Sequence, residues 1–215
     1  MHFDGGFFSA VLAALFAMMN PIANTPVFLG LTEGFERRDV RRLAIRSTLL
    51  AFLIGGVFVL CGSMILSLFG ISISAFRIAG GVLVALVGYH LLQGQHSSVQ
   101  KPSDEHLDQA GSDEAILGIA VSPLALPILA GPGTLVTLMN YSAGTSPSKQ
   151  FITLIAFAVI CGLTCLSFFV GGTMTKVLGT IALMVVSRFM GLILTVIGVQ
   201  MLIQGIQGAF SLNGN

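Results

Sequence analysis

The chain has 215 residues, of which 54% are hydrophobic and only 9% charged, and its net charge is +1. A soluble domain averages about 25% charged residues, so this is the composition of a membrane protein. The near-neutral charge, with no basic stripe, gives no reason to expect a nucleic-acid partner.

A hydrocarbon core about 30 Å thick takes roughly 20 apolar residues per helix. Six stretches qualify: about 7–32, 43–68, 71–94, 115–140, 150–170 and 181–208. The first, opening in "MHFDGGFFSAVLAALFA", has Asp4 where a signal peptide has Lys or Arg, and its apolar run passes any cleavage site. It reads as a retained transmembrane helix. Inside it lies "NPIANTP" (20–26), two prolines and two asparagines where a backbone break is least tolerated. Arg37, Arg38, Arg41, Arg42 and Arg46 then precede the second span, and "FGIS" makes a tight hairpin to the third. The segment 95–114 is rich in Ser, Asp and Glu and reads as a flexible polar loop. The fourth span carries a second break motif, "LPILAGP" (126–132). Lys176 and Arg188 flank the loop between the last two spans.

Eight of the ten basic residues fall on one side of this layout, and only Arg77 and Lys149 on the other. Lys and Arg favour the cytoplasmic side, which places the 95–114 loop in the cytoplasm and both termini in the periplasm. Aromatic belts are weak, with no Trp and only Tyr89 and Tyr141. The glycine pairs at 55–56, 80–81 and 171–172 read as close helix packing. Cys61, Cys161 and Cys165 all lie in apolar spans and read as small packed hydrophobes, with no metal site or disulfide implied.

Aligned without gaps, "RIAGGVLVALVGYHLLQG" (77–94) matches "RFMGLILTVIGVQMLIQG" (188–205) at Arg77/Arg188, Gly80/Gly191, Gln93/Gln204 and Gly94/Gly205. The two break motifs share the pattern P-I-x-x-x-P. Three spans per half is an odd number, so the halves insert with opposite orientation, an arrangement used by many secondary transporters. The predicted fold class is an all-α membrane protein. Its six transmembrane helices form two inverted three-helix repeats, 1–94 and 115–215, around the polar loop, with spans one and four broken at their proline motifs.

Proline removes a backbone donor, and a carbonyl freed in hydrocarbon must find protein, water or ligand. Thr25 followed by Pro26 has the chemistry of an N-cap and first helical residue, so a half-helix is expected from there to about Thr32. Gly131, Pro132 and Gly133 are expected to open a second, on which Thr134, Thr137 and Asn140 follow. Helix N-termini attract anions, and Asn20 and Asn24 add amides beside the first. The expected binding residues are therefore Asn20, Asn24, Thr25 and Pro26 with Ala130, Gly131, Pro132, Gly133 and Thr134. Two N-termini, amides and freed carbonyls suit a small zwitterion. All nine acidic residues lie in loops or at span ends, which argues against a cationic substrate or a carboxylate proton relay. His90 reads as snorkelling to the interface, Gln93 and Gln204 as helix-terminal caps, and Arg77 and Arg188 as anchors of helix starts. The only histidine within a span, His90, has no acid or cysteine beside it, so an enzyme is not expected.

The stretches "NPIANTPVFLGLT", "FGISISAFRIAGG" and "PLALPILAGPGTL" resemble the MarC-type family of bacterial inner-membrane proteins. The similarity runs over nearly the whole chain. On it, the N-P-[IV] start is Asn20, Pro21 and Ile22, and the A-G-P-G element is Ala130, Gly131, Pro132 and Gly133. Many relatives carry glycine shortly after the first N-P, where this chain has Ala23 and Asn24. Related members look like transporters of small neutral amino acids such as glycine and alanine, which implies a multi-pass protein of the bacterial inner membrane moving such a solute by alternating access. An exporter of another small metabolite or drug, and a non-transporting membrane scaffold, are the alternatives. No cofactor is expected beyond a coupling ion, Na+ or H+. The partners expected are the amino acid and the lipid bilayer, with a homo-oligomer left open.

Overall fold

A computed structural model of the chain describes residues 4–32, 35–94 and 129–210, the last with backbone alone at 173–178, 180 and 183. The polar loop and the first half of span four, 115–128, lie outside the described residues. What is described is helical between its turns: α1 (Gly5–Met19), α2 (Pro21–Leu31), α3 (Arg37–Leu68), α4 (Ile73–Leu92), α5 (Pro132–Ser142) and α6 (Pro147–Ala209). Five segments are long and apolar enough to cross a membrane: Gly5–Leu31, α3, α4, and two arms of α6, Pro147–Gly172 and Met184–Ala209.

Local chemistry explains the helix ends. Asp4 caps α1 by accepting from the Phe7 N–H at 3.0 Å, and Ser72 caps α4 by accepting from the Ala75 N–H at 3.1 Å. Gly70 turns the hairpin between α3 and α4 at φ +64°, and Gly179, at φ +70°, separates the arms of α6. At 1.5 Å per residue, α3 is about 48 Å long. That exceeds the hydrocarbon thickness, and its arginine-bearing first turns take up the excess.

Neighbour contacts fix the helix directions. α5 meets α1 at Phe7–Tyr141 and at Met18–Gly133, so the two run antiparallel. It also meets α3 at Gly55–Leu138 and Gly62–Ala143, and α4 at Gly80–Val136 and Arg77–Asn140. α5 is therefore parallel to α3 and antiparallel to α4. One end of the bundle gathers the starts of α1, α4 and α6, with Arg77 and Lys149. The other holds the arginine-rich start of α3 and Arg188, which lies beside Gly94.

The main core, around Leu15, Met19, Phe28, Leu129, Leu138 and Phe157, joins α1, α2, α3, α5 and the first arm of α6. A second cluster, including Val84, Leu91, Leu194 and Met201, lies between α4 and the second arm. The outer face of α3 leaves Leu49, Leu53, Val57, Leu60, Met64 and Leu68 exposed at helical spacing. An apolar stripe of this size is what a helix presents to lipid.

α4 packs most closely on the second arm of α6, antiparallel. Gly81 lies against the Gly198 carbonyl and Gly88 against the Gly191 carbonyl; reciprocally, Gly191 faces the Gly88 carbonyl and Gly198 the Gly81 carbonyl. The two glycine pairs, Gly81/Gly88 and Gly191/Gly198, are each seven residues apart. Gly80, which the gapless alignment pairs with Gly191, faces Val136 on α5 rather than the seam.

Candidate functional site

The chain leaves helix α1 at Asn20, whose φ of 38° and ψ of 67° are left-handed, and re-enters helix at Pro21. Asparagine is the non-glycine residue that tolerates this conformation best. Its Oδ1 accepts from the Ala23 N–H at 3.2 Å, so Asn20 is the N-cap and Pro21 the first residue of α2. This corrects the expectation that Thr25 and Pro26 open the half-helix. Pro26 lies inside α2 and is exposed, while Thr25 is buried and donates its hydroxyl to the Pro21 carbonyl at 2.7 Å. Two neighbouring polar-Pro steps, Asn20-Pro21 and Thr25-Pro26, carry nearly the same capping chemistry. The first is used because Asn20 both turns the chain and caps it.

Around this junction the polar groups are buried. Asn20 is 3% exposed, Asn24 5% and Thr25 fully buried. Asn24 Nδ2 donates to the Met19 carbonyl at 2.6 Å, satisfying the last residue of α1. Pro21 and Pro26 have no N–H, so they cannot serve the carbonyls of Ala17 and Ile22 four residues earlier. The Ala23 N–H is taken by the Asn20 side chain, and the Asn24 N–H closes the first helical bond to the Asn20 carbonyl at 3.0 Å. Asn20 Nδ2 is buried without a hydrogen-bond partner among the described residues. In a native interior such an orphan calls for an explanation.

The second motif places its helix start where expected. Gly131 is the N-cap of α5, Pro132 is the first residue, and no side chain caps it. Ala130, Gly131, Gly133 and Thr134 are buried, while Pro132 is exposed. Thr137 Oγ1 turns back to the Gly133 carbonyl at 2.8 Å. The space a Cβ on Gly133 would need is filled by the Met18 methyl, two residues before Asn20. Ala130 and Met19 belong to the same buried cluster. The starts of α2 and α5 are thereby brought to one place in the bundle.

Two features were missed in the sequence. Ser167, on the first arm of α6, is 3.2 Å from the Thr25 hydroxyl and 3.4 Å from the Pro21 carbonyl. A serine inside an apolar span was the available signal. Phe28 stacks on Phe168 one residue further along, with centroids 4.1 Å apart and planes 2° from parallel, so α2 is clamped to that arm. Replacing Thr25 by Val should keep the volume, remove the hydroxyl bonds, and lower stability by about 1 kcal/mol. Thermal unfolding in detergent reads this, and an unchanged melting point would make the Thr25–Ser167 contact inert.

Among the expected helix caps, Gln93 is the C-cap residue of α4, its amide donating to the Tyr89 hydroxyl at 2.7 Å. Gln204 is not a cap but lies inside α6. Arg77 anchors more than a helix start: its Nε donates to Asn140 Oδ1 at 2.9 Å, tying α4 to α5. His90 is half-buried, with Nδ1 lacking a hydrogen-bond partner among the described residues. Among these residues no three His, Cys, Asp or Glu side chains come together in a way that could hold a metal ion.

Comparison with known proteins places this helix plan. A family model described as "MarC family integral membrane protein" matches residues 5–210. The chain is 38% identical to the UPF0056 membrane protein YvbG of Bacillus subtilis, over 93% of this chain and 94% of that protein. It is 34% identical to a UPF0056 membrane protein of Methanocaldococcus jannaschii, over 96% and 98% of the two chains. It is 30% identical to the UPF0056 inner membrane protein MarC of Escherichia coli, over 91% of each. No solved structure matches. A full-length family match, relatives covered end to end and five membrane-length apolar helices agree: the chain is an integral membrane protein of the MarC family.

Proposed function

We propose that the protein is a secondary transporter that moves a small neutral amino acid, of the glycine and alanine class, by alternating access and without covalent chemistry. The observation that carries this reading is the junction at Asn20. A buried left-handed asparagine, with an unpartnered Nδ2, opens one helix beside the glycine start of another. Donors at helix starts favour a carboxylate, and prolines that leave carbonyls without their helical donors favour an ammonium. The reciprocal antiparallel glycine seam between α4 and the second arm of α6 supports an inverted repeat, as does the presence of a proline-started helix in each half. The separation of Arg77 and Lys149 from the arginine-rich start of α3 supports both termini lying in the periplasm.

The test is flux of labelled glycine and alanine into proteoliposomes, with and without sodium or proton gradients. Flux under one of these gradients is expected, with Na+ or H+ as the coupling ion. Absence of flux of any small amino acid under every gradient would remove the assignment. Asn24→Ala frees the Met19 carbonyl and Gly131→Leu crowds the start of α5; both are expected to bring flux to background while the protein still reaches the membrane. Normal uptake in both variants would move the site elsewhere.

A further inference from the structure

At the end of the bundle where α1, α4 and α6 start, a half-open cavity of about 260 Å³ is lined by Arg77, Tyr141, Lys149, Gln200 and Gln204, with Phe7 at its edge. None of the residues around the Asn20 junction lines it. The cavity lies at the far end of α5, about 12 Å along that helix from its start at Pro132. It is smaller than the 300–1,000 Å³ of sites for drug-sized ligands and suits a small metabolite.

Its charge is one-sided. Arg77 is half-buried and held in place by two bonds to Asn140, Nε to Oδ1 at 2.9 Å and Nη2 to the backbone carbonyl at 3.5 Å. That uses two of its five N–H donors. Lys149 Nζ sits 5.3 Å from the centre of the Phe7 ring, a cation–π placement that steadies the ammonium without neutralising it. Phe7 is itself set edge-on to Tyr141, with centroids 5.9 Å apart. Among the described residues no carboxylate forms an ion pair with Arg77 or Lys149. Asp4, at the start of α1, accepts from the Phe7 N–H at 3.0 Å as its cap and makes no ion pair with Arg77 or Lys149. Gln200 and Gln204, one turn apart on α6, add amide donors and acceptors to the lining.

We infer that this cavity binds a small oxyanion, a carboxylate held between Arg77 and Lys149, with Gln200 and Gln204 contacting the polar remainder of the solute. Two cations that no carboxylate among the described residues pairs with, at the mouth of a low-dielectric bundle, concentrate an anion there. The Arg77 fork matches carboxylate geometry in a way a lysine does not. The cavity is separate from the Asn20 junction, so the inference holds whether or not that junction transports.

The experiment uses the full chain in nanodiscs of phosphatidylcholine at low ionic strength, with acetate and glycine as probes and glycinamide as the carboxylate-free control, read by saturation-transfer NMR. Acetate and glycine are expected to bind and glycinamide not to. Lys149→Gln, which removes the ammonium over the Phe7 ring, is expected to weaken both about ten-fold. Arg77→Gln is expected to weaken them at least as much, with Arg77→Lys in between. Binding that is the same in Lys149→Gln and wild type would overturn the inference, as would glycinamide binding equal to glycine. Binding lost in Asn24→Ala yet insensitive to Lys149→Gln would assign it all to the helix junction and also overturn the inference. If wild type gives no flux but Lys149-dependent acetate binding persists, the transport reading fails and this one stands. A second arm uses nanodiscs containing phosphatidylglycerol. Displacement of acetate, with co-purified lipid phosphorus that falls in Lys149→Gln, would identify a phospholipid headgroup as the source of the same oxyanion chemistry.

Discussion

Asn20→Gly should leave a folded protein with flux of glycine and alanine at background. Glycine adopts the left-handed backbone of residue 20 without strain, and as a cap it costs only a few tenths of a kcal/mol relative to asparagine. What it removes is the buried Nδ2 that has no partner in the bundle. Asn20→Asp separates the two roles of this side chain. The carboxylate keeps the acceptor for the Ala23 N–H and is favoured at a helix start. It also sets a negative charge where the solute carboxylate is proposed to sit, so transport should be lost with the fold intact. Asn20→Ala should lose both, with the missing cap costing about 1 kcal/mol and the left-handed alanine roughly another. The measurements are proteoliposome flux and thermal unfolding in detergent on the same preparations. Wild-type flux in either Asn20→Gly or Asn20→Asp would show that the orphaned amide has no part in recognition.

The largest stability effects should come from the glycine seam. A Cβ on Gly88 would stand 2.5 Å from the Thr195 nitrogen and 2.6 Å from the Gly191 carbonyl oxygen, and one on Gly81 would stand 2.7 Å from the Gly198 oxygen. These neighbours are backbone atoms of a helix and cannot rotate away. The two helices must separate, giving up the close van der Waals contact that holds helices together in lipid. Gly88→Ala and Gly81→Ala should each cost about 1–3 kcal/mol, or roughly 2–4 °C in melting temperature per kcal/mol for a chain of this length. Gly162→Ala is the control, because a Cβ there meets nothing within 4 Å. Melting points of the seam variants equal to that of Gly162→Ala would mean that α4 and α6 do not cross as described.

The seam and the cap show how differently the two halves of the architecture were legible. The span positions at α1–α2, α3, α4 and both arms of α6 could be read directly, because a bilayer demands some 20 apolar residues per crossing and leaves little choice of place. The glycine spacing was visible as well, but not its register. Sequence identity pairs Gly80 with Gly191 and says nothing of which helix face a residue occupies. Gly81 lies on the seam and Gly80 does not, because the Gly81 side of α4 faces the carbonyls of α6. Arg77 likewise read as an interface anchor, since nothing in one sequence reveals that Asn140, sixty-three positions away, accepts its Nε.

A multi-span membrane protein with a break near Asn20 and a helix start at Gly131-Pro132 is legible from the residues alone, because hydropathy, proline chemistry and glycine freedom are local properties. Tertiary structure decided which polar-Pro pair opens α2. Asn20 turns the chain and caps the helix, while Thr25 is drawn instead to the Pro21 carbonyl and Ser167. Tertiary structure also brought Gly133 against Met18 and left Arg77 and Lys149 facing one cavity with no acid among its described lining residues. Those outcomes depend on which side chains share a buried space, and burial belongs to the packed bundle rather than to any single stretch of chain.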